Sequence, residues 1–88
     1  MKISQEKRDK ISEQILACLY HNFPKTRFTA EIARDIARDE EFTRTLLEEL
    51  HAKNLAIPIK KNSKGILFSR RVKWRLSNKA YDAYKEHQ

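Results

Sequence analysis

With 88 residues, 40% of them hydrophobic and 35% charged, the chain is long enough for one small core and too short to enclose a sizeable substrate pocket. Its apolar residues recur with regular periods, which excludes a disordered polyelectrolyte, and no run approaches the roughly 18 apolar residues of a membrane span. The formal net charge of +7 is concentrated in one third of the chain: residues 52 to 81 hold nine Lys and Arg and no Asp or Glu, while the segments on either side each sum to −1.

Met1 to Arg8 are mixed in charge rather than apolar, so no secretory signal is expected and a cytoplasmic location is. Ser4 suits the N-cap of a first helix running to about His21, with Ile11, Ile15, Leu16, Leu19 and Tyr20 on one stripe. The single Cys18 lies within this apolar stretch, cannot form an internal disulfide, and reads as core. Asn22 is placed to end the helix in the left-handed conformation, and Phe23-Pro24 turns the chain because the residue before proline avoids helical angles. Arg27-Phe28 follows as a short extended link.

Thr29 opens a second helix that ends near Arg38, with Ile32, Ala33, Ile36 and Ala37 as its stripe. Asp39 caps a third, which has Glu40 and Glu41 in the first turn, where the helix dipole favours carboxylates. Phe42, Leu46, Leu47 and Leu50 form its inward side, and Asn54 closes it. After Leu55 the period falls to two: Ile57 and Ile59 alternate with Pro58 and Lys60, then Val72, Trp74 and Leu76 with Arg71, Lys73 and Arg75. Pro58 has no N–H to donate, so its strand belongs at the edge of a sheet with Val72 to Leu76 inside it. Asn62 to Gly65 suit the turn between them, and Ile66 to Phe68 extend the second arm. Ser77 caps a last helix carrying Ala80, Tyr81 and Tyr84.

These elements make an α+β chain, mainly helical: a three-helix core, a β-hairpin and a short C-terminal helix, with no internal linker, so that residues 1 to 88 are expected to be one domain. Ile15, Leu19, Ile32, Ile36, Leu46, Leu50, Val72, Trp74 and Leu76 are predicted to share the core. A block of one charge sign sets up a surface potential that draws polyanions. No nucleophile-base set, glycine-rich phosphate loop or metal-ligand spacing occurs: the chain has one Gly, and His21, His51 and His87 have no partner at ligating distance in sequence. Neither enzyme activity, cofactor nor metal is expected.

Thr29-Ala30-Glu31-Ile32-Ala33 resembles the opening of the second helix in winged helix-turn-helix proteins, and the run Leu46-Leu47-Glu48-Glu49-Leu50 through Leu55 resembles the end of their recognition helix. Trp74-Arg75-Leu76-Ser77-Asn78-Lys79-Ala80 is similar to the strand-to-helix junction after the wing in MarR-like and PadR-like regulators. The resemblance implies a third helix in the major groove and a hairpin reaching a neighbouring phosphate backbone or minor groove. Carried over by position, it sets Glu41, Arg44, Thr45 and Glu48 outward, with Arg44 and Thr45 at base edges. It gives Lys60, Lys61, Lys64, Arg70, Arg71 and Lys73 to phosphates, with a further phosphate contact from Thr29 at a helix N-terminus.

The implied function is a small duplex-DNA-binding transcriptional regulator, sequence-specific or general, and the implied assembly is a homodimer joined through terminal helices on a palindromic site. The alternative is a protein-interaction or RNA-binding module of a larger assembly. The chain departs from the family pattern in having Asn54 and Ala80 where Gly is usual, and in the acidity that Glu40, Glu41, Glu48 and Glu49 give the third helix. Carboxylates next to phosphates are unfavourable, although a Glu can accept from cytosine N4.

Overall fold

The computed structural model describes residues 4–59 and 72–86. Among them are four helices and three strands, in the order α1 (Gln5–Asn22), β1 (Arg27–Phe28), α2 (Thr29–Ile36), α3 (Glu40–Ala52), β2 (Ala56–Ile59), β3 (Lys73–Leu76) and α4 (Asn78–Glu86). The arrangement is the mainly helical α+β class expected from the sequence. Expectations for residues 60–71, including the turn at Asn62 to Gly65 and the arm at Ile66 to Phe68, lie outside the described residues.

Three helix starts follow from side chains that satisfy otherwise unpaired N–H groups. Ser4 accepts from the Lys7 N–H at 3.3 Å, Asp39 from that of Phe42 at 3.0 Å, and Ser77 from that of Ala80 at 3.0 Å. The helix ends differ more from expectation. Asn22 is not left-handed but remains helical, its amide donating to the Cys18 carbonyl at 2.7 Å while its oxygen accepts from Arg27 at 3.2 Å. The exit is made instead by Phe23, whose φ of −56° and ψ of 136° are the angles a following proline demands.

Helix α2 stops at Ile36, before Arg38, because Ala37 takes the left-handed conformation at φ 57° and ψ 47°. Ala37 is consequently exposed and leaves the apolar stripe. Asn54, expected to close α3, follows its end in the left-handed conformation at φ 63°, which Asn tolerates better than most residues with a Cβ.

The three strands form an antiparallel sheet in the order β1-β3-β2. Pro58 lies on the edge strand β2, opposite Trp74 on the central strand, where a missing donor costs no interior ladder bond. Directly paired residues share a face, so the register puts Ala56, Pro58, Trp74 and Leu76 inward and Phe28, Ile57, Ile59, Lys73 and Arg75 outward. The isoleucines that reveal the strand therefore lie on its outer face. The inward position is the small Ala56, fully buried where α3 packs on β2.

The core joins Ile11, Ile15 and Leu19 of α1 to Ile32 of α2, Leu46, Leu47 and Leu50 of α3, Trp74 and Leu76 of β3, and Ala80 of α4. Ile36 and Val72, expected within it, are partly buried and pack against its margin. A polar bond between two distant segments lies in the interior: the Trp74 indole N–H donates to the Thr29 hydroxyl at 2.8 Å, and that hydroxyl lies 3.4 Å from the Val72 carbonyl. Thr29→Val keeps the shape of the side chain and strands the indole N–H, so it is expected to cost about 1–3 kcal/mol. Urea denaturation followed by the fluorescence of Trp74, the single tryptophan, measures this. A loss below about 0.5 kcal/mol, the range of neutral surface changes, would show that the bond contributes nothing.

Candidate nucleic-acid interface

The inward row of α3 is Thr43, Leu46, Leu47 and Leu50, all buried. Helical spacing then places Glu41, Arg44, Thr45 and Glu48 together on the opposite side, and all four are exposed. The structure thus brings the four expected residues of this helix onto one surface. Two of them are held by a third: Arg44 Nη2 lies 3.2 Å from Glu41 Oε1, and the Thr45 hydroxyl donates to the Glu41 carbonyl at 3.1 Å. An exposed ion pair of this kind adds at most about 1 kcal/mol of stability. Its consequence is orientation, because it keeps the Arg44 guanidinium beside a carboxylate on the outward face.

The acidity of α3 is also partly offset from α1. Arg8 forms an ion pair with Glu49, and its guanidinium carbon sits 5.8 Å from the centre of the Phe42 ring. Of the four glutamates that make the helix acidic, Glu41 and Glu49 therefore each have a cationic neighbour. Arg8 was missed in the sequence because nothing local marks a partner 41 positions away.

Thr29 requires a correction. It is only 6% exposed and its hydroxyl is engaged by Trp74, so it holds β3 to the start of α2 and is not presented to a phosphate. Lys73 lies on the outward face of β3 with its ammonium 5.0 Å from the centre of the Phe28 ring. Lys60, Lys61, Lys64, Arg70 and Arg71 lie outside the described residues. The strands that bracket them are nevertheless fixed, since β2 ends at Ile59 and β3 begins at Lys73 and these two residues are paired. Both ends of the basic segment therefore meet the sheet at one place.

On the far side of α2, Arg27 joins Asp35 at 2.8 Å and approaches Glu31 at 3.6 Å, tying β1 to the helix. The Cys18 thiol donates to Asp35 at 3.5 Å. Burial above all, reinforced by Asp35, pushes this thiol up to about 11, so it stays protonated near neutral pH and is a poor nucleophile. Among the described residues no group of three or more His, Cys, Asp or Glu is placed to hold a metal ion. No helix among them is long and apolar enough to cross a membrane.

No family model matches the chain, and no curated protein does. Solved structures do match. A MepR variant from a multidrug-resistant S. aureus clinical isolate superposes with a TM-score of 0.71 at 18% identity, covering 88% of this chain and 53% of that one. ZitR of Lactococcus lactis, described as a zinc-responsive MarR family member, gives 0.67 at 23% identity, covering 99% and 52%. S. aureus MepR in complex with DNA gives 0.70 at 21% identity, covering 92% and 66%. The fold is a winged helix-turn-helix. Within it α2 and α3 are the helix-turn-helix pair, and β2 and β3 are paired strands of the sheet. This winged helix spans about half the length of the first-named MepR chain and of ZitR.

Proposed function

We propose that the chain is a small transcriptional regulator that binds duplex DNA and is not an enzyme, with α3 in the major groove and the basic segment between β2 and β3 on the phosphate backbone. The observation that carries this reading is that the outward row of α3 shares one winged helix with a stretch, residues 52 to 81, that has nine cations and no carboxylate. A fold like that of a regulator solved with DNA supports it. The acidity of α3 is the feature that favours a protein partner instead. Its weight is reduced by Arg8 beside Glu49 and Arg44 beside Glu41.

In this proposal phosphate contacts supply affinity and α3 supplies discrimination. Arg44→Ala is expected to change the sequences recovered from a random duplex pool, at about 1–3 kcal/mol for a lost base contact, and to move the salt slope by no more than about one unit. Recovery of the same sequences with the same affinity would remove α3 from the reading surface.

A further inference from the structure

Helix α3 carries two threonines whose hydroxyls are both used internally. Thr43 donates to the Asp39 carbonyl at 2.7 Å and Thr45 to that of Glu41 at 3.1 Å, each bonding four residues back. Thr43 is fully buried, whereas Thr45 is exposed among Glu41, Arg44 and Glu48. Bonding to the backbone selects the threonine rotamer in which Oγ1 lies against the preceding turn. The methyl then occupies a different staggered position, and the hydroxyl proton is already committed. Of the four side chains on this face, three end in charge, and Thr45 offers an apolar methyl.

Only one base displays an apolar group in the major groove, the C5-methyl of thymine, and the threonine methyl is one of the groups suited to meet it. We infer that Thr45 is a specificity-determining residue that reads a thymine methyl through its own methyl, beside a base contact from Arg44. The inference rests on the DNA-binding reading of α3 and adds the identity of a base to it.

The test uses the full chain and the duplex it selects from a random pool, with each thymine replaced in turn by deoxyuridine, which lacks only the methyl. Replacement at one position per bound α3 is expected to weaken binding about fourfold, the worth of one buried methyl-sized group. Thr45→Ser keeps the hydroxyl and loses the methyl, so it is expected to bind the thymine duplex about fourfold more weakly and to ignore deoxyuridine. Thr45→Val keeps a methyl and loses the hydroxyl, and is expected to retain the thymine preference. The inference is overturned if no thymine is sensitive, if the selected pool has no preferred sequence, or if Thr45→Ser binds as the parent does while Thr45→Val loses the preference. Duplex binding that is indifferent to deoxyuridine would sink this inference alone, whereas absence of duplex binding would sink the reading of α3 with it.

Discussion

Replacing Leu50 with alanine is expected to destabilise the fold by about 2–5 kcal/mol, the range for truncating a buried leucine. Leu50 is 3% exposed, in the last turn of α3, within the cluster that includes Ile15, Leu46, Ala56 and Leu76. Its carbonyl also accepts from the N–H groups of Lys53 and Leu55, so the backbone there is fixed and cannot easily collapse into the vacated space. Against a total stability of order 5–15 kcal/mol for a small domain, such a loss leaves little margin. It should appear as a lower urea midpoint with an unchanged slope. Glu48→Ala, two positions away and exposed, should stay within about 0.5 kcal/mol. Were the Leu50 variant as harmless as the Glu48 variant, the register of α3 would be wrong, and its outward face would not be Glu41, Arg44, Thr45 and Glu48.

That face was legible in the sequence because it is the complement of a leucine stripe: once Leu46, Leu47 and Leu50 point inward, the other row follows from helical geometry. Helix starts were legible for a similarly local reason, since Ser4, Asp39 and Ser77 each precede a helical stretch with an oxygen ready to accept an N–H. Pro58 revealed the sheet edge through the donor it lacks. What could not be read locally depends on distant partners. Thr29 looks like an exposed helix start until Trp74, 45 positions away, covers it. Ala37 carries no chemical signal for a left-handed angle and adopts one where the chain leaves α2 for the Asp39 cap of α3. The pairing of Arg8 with Glu49 requires knowing that α1 packs beside α3.

Neutralising Lys60, Lys61, Lys64, Arg70 and Arg71 together is the change expected to affect binding most. Each cation that meets a phosphate releases condensed counterions, and log affinity falls against log salt with a slope of roughly −0.9 per contact on B-form DNA. If all five make contacts, their loss should flatten the slope by about 4.5 units, five contacts at 0.9 each. Affinity should drop for every duplex sequence alike, because phosphates carry no sequence information. The four described helices include none of the five, so helicity by circular dichroism is expected to match that of the parent chain. The effect would then be one of charge and not of unfolding.

The proposal that this chain holds duplex DNA through the basic segment between β2 and β3 is tested most directly by fluorescence anisotropy of a labelled duplex across a salt series, with the parent chain and the five-fold variant side by side. The parent is expected to show a steep negative slope, and the variant a much flatter one with weaker binding at low salt. Equal affinity and equal slope for the two proteins would contradict the proposal.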